Sequence, residues 1–244
     1  MTSIILIQVI KSIISKNKKQ SKKGGKDFSA LKNHFMNRKF VAKSNFVLRR
    51  VLNSEDNIDI LKEFIEVILD IEIKSAKINP YLERIKNKLP SEENFGIADL
   101  RVQIVGNEEL NIGIQIIDGQ HILTKMFLYF AQINSYQLEY KDNREFAKTI
   151  TINILDDIFT KETKYHSRMI LKEEKMTNIL EDYLEIHILE LPKFKINKDE
   201  EMSLKGAWLN YLKGENIEKA IHKSENIKKL DDLLNYYWDN EIME

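Results

Sequence analysis

Two stretches, Ile-Ala-Asp-Leu-Arg-Val-Gln (Ile97 to Gln103) and Asn-Ile-Gly-Ile-Gln-Ile-Ile (Asn111 to Ile117), decide the fold. Side chains alternate faces along a strand. In the first stretch Ala98, Leu100 and Val102 share one face and Asp99, Arg101 and Gln103 the other. In the second, Ile112, Ile114 and Ile116 oppose Asn111, Gly113 and Gln115. Gly106-Asn107 between them reads as a turn, so the pair is an antiparallel hairpin. Directly opposed residues share a face; a register with Asp99 beside Gln115 and Arg101 beside Gly113 satisfies that parity. The hairpin then has one greasy face for a core and one polar face carrying a carboxylate and an amide.

Outward from the hairpin, Ile60, Leu61, Phe64, Ile65, Ile68 and Leu69 recur at helical spacing and predict an amphipathic helix from Asp59 to Asp70. Ile71 to Ile78 reads as a strand. Asn79 to Glu93, with Pro80 and Pro90, reads as a polar connection. After the hairpin, Ile122 to Leu138 predicts a helix with an apolar stripe of Leu123, Met126, Phe127, Phe130 and Ile133; Tyr129 and Tyr136 belong at the core edge. Ala147 to Leu155 alternates as a strand, and Arg168 to Leu171 and Leu184 to Leu191 are further strands. The facing of the last is ambiguous. His166 and His187 stand apart from acids at any ligand spacing, which favours structural roles. Beyond Asp199 three helical stretches follow, with Gly214 as a stop.

Six further words accompany the hairpin: Asn45-Phe46-Val47-Leu48-Arg49-Arg50-Val51-Leu52, Ile60-Leu61-Lys62-Glu63-Phe64-Ile65, Tyr136-Gln137-Leu138, Thr151-Ile152-Asn153-Ile154-Leu155, Tyr165-His166 and Leu189-Glu190-Leu191-Pro192-Lys193-Phe194. Together with the strand spacing, and in this order from about Met36 to about Phe194, they resemble the bacterial recombination-promoting nuclease and transposase family of the PD-(D/E)XK superfamily. The resemblance implies an α/β fold: a mixed sheet of four or five strands flanked by helices, the PD-(D/E)XK nuclease-like core, with a C-terminal helical appendage. Three segments are expected: a basic, flexible extension over 1–35, the nuclease-like domain over 36–197, and the appendage over 198–244.

The same resemblance implies a metal-dependent DNA endonuclease linked to recombination, using Mg²⁺ or Mn²⁺. Asp99 matches the family's metal-binding Asp and Gln115 its strand Gln, which would orient the attacking water or a phosphate oxygen. Lys125 matches a basic residue that would contact backbone phosphate. The departure is at position 113: the family pattern Glu-x-Gln is here Gly113-Ile114-Gln115. Asn45 replaces a second family Asp. A hard cation wants several oxygen ligands, so a lone carboxylate implies weak binding and reduced cleavage. Glu63 on the preceding helix is the candidate surrogate acid, with Glu66 beside it; the plain alternative for both is a solvated helix face. The rival function is a catalytically inactive DNA-binding or paralogue-pairing protein of the same fold.

Composition sets the outer bounds. The 244 residues are 43% hydrophobic and 31% charged, with no cysteine. That excludes disulfides and thiolate metal sites and fits a reducing cytoplasm. The 38 basic and 38 acidic residues cancel, but 13 basic and one acidic residue fall within the first 50, leaving 25 and 37 behind them. A basic arm on an acidic body suits contact with the DNA backbone, or a solubilising tail. Ile4 to Ile14 is apolar but too short to span a bilayer, so no membrane partner is expected. The expected partners are double-stranded DNA and, beyond it, a second copy or a paralogue.

Overall fold

The computed structural model describes residues 45–79, 98–106, 108–117, 121–140, 147–170, 184–196 and 202–237. The basic extension and, apart from Asn79, the connection expected over Asn79 to Glu93 lie outside them, and for Asp99 and Arg101 only the backbone is described. The elements in chain order are α1 (Asn45–Leu52), α2 (Ile58–Leu69), β1 (Ile73–Ile78), β2 (Ala98–Ile104), β3 (Glu109–Ile117), α3 (Ile122–Tyr140), β4 (Lys148–Leu155), β5 (His166–Ile170), β6 (Leu184–Glu190), α4 (Leu204–Lys213), α5 (Ile217–Lys223) and α6 (Glu225–Tyr237).

One mixed sheet of six strands, rather than four or five, runs in the order β1-β2-β3-β4-β6-β5. The two hairpin strands pair antiparallel, as β1 does with β2; β3, β4 and β6 run parallel, and β5 returns antiparallel at the edge. The register differs from the expected one by two residues: Asp99 pairs with Gly113, and Arg101 with Asn111. Ile104 N–H donates to Glu108 O at 3.0 Å, which closes the hairpin around Gly106. Gly106 has φ of 110°, a conformation a side chain disfavours, so the glycine takes the tip of the turn. A shift by two preserves parity, so every residue keeps its face.

The two faces are covered differently. Leu110, Ile112, Ile114 and Ile116 of β3 join Ala98, Leu100 and Val102 of β2 and Ile150, Ile152 and Ile154 of β4 in the main core. That core is closed by Phe64, Ile65 and Ile68 of α2 and by Ala207, Trp208, Leu209, Ile227 and Leu230 of the C-terminal helices. Phe64 and Trp208 meet edge to face with ring centroids 5.4 Å apart. The C-terminal helices therefore form a wall of the same core. On the other face α3 lies over β3 and β4, and Met126 packs with Ile117, Leu155, Ile186 and Ile188 in a smaller core.

The stripe of α3 differs from the one the periodicity suggests. Met126, Tyr129, Ile133 and Gln137 are buried, whereas Leu123 and Phe127 are about half exposed. The cause is the polar sheet face beneath the helix. Gln137 can be buried there because its amide donates to Thr149 Oγ1 and Ala147 O and accepts from Ala147 N–H. A buried amide with its partners made costs little.

Candidate active site

The site is built on the row that crosses β2, β3 and β4 at Asp99, Gly113 and Thr151. Two residues on, Gln115 pairs with Asn153. Both are buried, and Gln115 Nε2 donates to Asn153 Oδ1 at 2.6 Å. Asn153 Nδ2 then donates to His187 O at 3.0 Å and lies 3.2 Å from Thr151 Oγ1. Asn111 is buried on the near side of Gly113, and among the described residues its Nδ2 has no hydrogen-bond partner. The row is thus an amide-lined strip under α3.

Gly113 lies against the helix. A Cβ built on it would sit 2.8 Å from Tyr129 Oη and 3.0 Å from Tyr129 Cε1, and closer still to Ile133 Cδ1. Real Cβ atoms do not approach neighbours this closely. Tyr129 is 1% exposed. Its hydroxyl is 3.1 Å from Ala98 O on β2 and 3.3 Å from Ile114 O on β3, so one phenolic proton serves both strands. Lys125, Tyr129 and Ile133 fall at i, i+4 and i+8, one row of the helix surface. Lys125 is in the first turn of α3 and half-buried.

The surrogate acids are on α2, across the sheet from this row. Glu63 Oε1 accepts from Trp208 Nε1–H at 2.9 Å and from the Ser224 hydroxyl at 2.5 Å, and Glu63 Oε2 accepts from Asn226 Nδ2 at 2.9 Å. It joins α2 to the C-terminal helices. Glu66 Oε1 accepts from Ile73 N–H at 2.8 Å, fixing the entry to β1. Both carboxylates thus serve as internal acceptors where a solvated face was the plain expectation.

A model of the PD-(D/E)XK nuclease family transposases matches residues 42–242. The chain belongs to that family. Comparison with curated proteins and with solved structures gave no match. The family match extends well past Phe194 and takes in α4, α5 and α6, in keeping with their place in the core.

The family's donor set can be tested on the residues present. Among the described residues no group of three or more His, Cys, Asp or Glu could hold a metal ion. Glycine at 113 offers no side-chain oxygen. The residues present do not fit a Mg²⁺ held between two strand carboxylates. Asp99 is in register with Gly113, and the direction of its side chain lies outside the described residues.

Two family-like words have structural work that linear spacing hides. The Glu190 carboxylate, fully buried, accepts from Phe159 N–H, Thr160 N–H and the Thr160 hydroxyl at 2.6–2.9 Å and pairs with Lys193 at 2.8 Å. Lys193 returns to Thr160 O at 2.8 Å. Burial alone would raise the pKa of Glu190, but the Lys193 and Thr160 bonds outweigh it and hold the carboxyl below its usual range. The segment after β4 is thereby clamped to the end of β6.

The two histidines meet. His166 Nε2 is 2.7 Å from His187 Nδ1, and His187 Nε2 is 2.6 Å from Glu185 Oε1. A carboxylate only accepts, so in the neutral rings His187 donates to Glu185 and accepts from His166. Arg168 forks onto both Glu185 oxygens at 2.7 and 2.9 Å, and Lys148 adds a contact of 2.9 Å. Burial would raise the pKa of Glu185, yet the bonds from His187, Arg168 and Lys148 pull it far below the usual range. Burial, then the neighbouring His187 and Lys205, lower His166 to about 4. Lys148, His166 and Arg168 lie 17 to 37 positions from Glu185 and reach it only through the cross-strand register, whereas His187 follows Glu185 by two on the same strand.

Proposed function

We propose that the chain is a DNA-binding member of its family that has lost Mg²⁺-dependent strand cleavage. The observation that carries this reading is the pairing of Asp99 with a glycine: the position across from the retained Asp has no oxygen to offer. A divalent ion activates water and neutralises phosphate charge only where it is held in place. Glu63, the candidate replacement, is engaged with Trp208, Ser224 and Asn226 on the opposite side of the sheet. Gln115, whose counterpart would orient water or phosphate, donates its Nε2–H to Asn153 Oδ1.

Family membership supports double-stranded DNA as the partner, and two features of this chain support backbone contact. Lys125 stands one helical turn before Tyr129, at the start of the helix that covers the site. The first 50 residues concentrate 13 of the 38 basic side chains. The rival reading is a slow endonuclease, favoured by Asp99 keeping the register that a shared ion needs.

A mobility-shift titration on duplex DNA with Ca²⁺, together with a nicking assay with Mg²⁺, tests the proposal. Binding that weakens with salt, and weakens further in Lys125→Ala, is expected without accumulation of nicked product. Absence of any salt-sensitive binding would remove the DNA-binding reading. Nicking that is lost in Asp99→Ala would establish the endonuclease.

A further inference from the structure

We propose that helix α3 has taken over the volume of the missing strand carboxylate, so that Tyr129 and Ile133, with Gly113, determine that the site admits no divalent cation. This rests on the reading that position 113 is the vacated ligand position, and it adds the reason the vacancy is closed. Removing a side chain beneath a helix that stays in place leaves a void with unsatisfied packing around it. Here there is none to spare. The atoms a Cβ would overlap belong to Ile133 and Tyr129, buried to 3% and 1% exposure.

Tyr129 also replaces what an ion would do mechanically. An ion shared by two carboxylates ties strand to strand. In this chain the Tyr129 hydroxyl reaches Ala98 O on β2 and Ile114 O on β3, the residues flanking the Asp99–Gly113 pair. A neutral hydroxyl has become the tie. The two side chains differ in how readily they give way. Ile133 Cδ1 is the free end of a flexible side chain, whereas Tyr129 is anchored at its far end by the hydrogen bonds. Trimming Ile133 therefore removes the nearest of the overlapping atoms and leaves the anchored Tyr129 in place.

The test is a double-mutant cycle on the full chain followed by a metal titration. Gly113→Ala alone should lower the melting midpoint by about 2–10 °C, the scale of overpacking by one or two carbons. Ile133→Ala alone should also lower it, and the double substitution should lose less than the sum of the two, because the new methyl enters space the trim has opened while its 2.8 Å approach to Tyr129 Oη remains. Independent, additive losses would overturn the proposal. In the second arm, Mn²⁺ should raise the midpoint of Gly113→Glu/Ile133→Ala but not of Gly113→Glu, and adding Asp99→Asn should abolish the rise. A full Mn²⁺ response in Gly113→Glu alone would show that α3 does not hold the volume. A response in neither would show that 113 is not a ligand position. Should Gly113→Glu fail to fold while the double variant folds, the proposal is supported; should both fail, the alanine cycle decides. Mg²⁺-dependent cleavage by the unaltered chain that is lost in Asp99→Ala would end both proposals, whereas absence of salt-sensitive DNA binding would end the functional proposal alone and leave this cycle standing.

Discussion

Glu63 shows what a single residue can conceal. Its acid at the head of a helix face suggested chemistry, and its geometry is that of a hub: three neutral donors from three points of the C-terminal region converge on one carboxylate. Replacing it with alanine leaves Trp208 Nε1–H, Ser224 and Asn226 without their acceptor. Unmade bonds of part-buried groups cost about 1–3 kcal/mol. Glu63→Ala should lose that much stability in urea denaturation, and Glu63→Gln, which keeps one acceptor oxygen, distinctly less. Equal losses in the two variants would mean the carboxylate charge matters more than the acceptor.

The histidine pair makes a second residue-level expectation. His166 titrates near 4 in the folded chain against 6.5 for the free side chain. Between those values the unfolded chain takes up a proton that the folded chain refuses, so stability falls as pH drops from about 6.5 toward 4. Glu185, held below its ordinary 4.5, adds a further loss below that pH. The thermal midpoint should therefore decline from pH 7 to pH 5, and His166→Asn should flatten that decline. An unchanged slope in His166→Asn would place the acid sensitivity elsewhere.

At the scale of elements, legibility followed periodicity. The amphipathic helix predicted over Asp59 to Asp70 is α2 at Ile58–Leu69, and the hairpin strands are Ala98–Ile104 and Glu109–Ile117. Gly214 ends α4 with φ of 71°. Parity along β2 and β3 was also legible, because a period of two does not depend on the partner. The exact register was not: it turned on whether Gly106 or its neighbour takes the turn. The buried side of α3 was misjudged for a related reason. Apolar periodicity nominates Leu123 and Phe127, but the surface beneath is a glycine and a set of amides, which receive Tyr129 and Gln137. Half of the His166–His187–Glu185 chain was legible, since Glu185 and His187 stand two apart on one strand face, but His166 joins them only through the pairing of β5 with β6. Of the candidate site, the glycine at 113 was visible in the sequence, and the helix resting on it was not.

For the whole molecule, the C-terminal helices matter most. Ala207, Trp208, Leu209 and Leu230 belong to the core that contains Phe64, Ile65 and the inward residues of β2, β3 and β4. Removing everything after residue 197 would strip one wall from that core and free Glu63 of its three donors. Such a truncation should give no cooperative thermal transition, followed by circular dichroism. A truncated chain that melts cooperatively near the intact midpoint would make the helices an independent appendage. Among the described residues no helix is long and apolar enough to cross a membrane. The molecule is one nuclease-type sheet with the main core on one face and, on the other, a smaller core and the candidate site beneath α3. The most direct measurement is the rate at which supercoiled plasmid is nicked by the intact chain with Mg²⁺, set beside Asp99→Ala prepared in the same way. The account predicts the same background rate for both. Nicking by the intact chain that disappears in Asp99→Ala would contradict it.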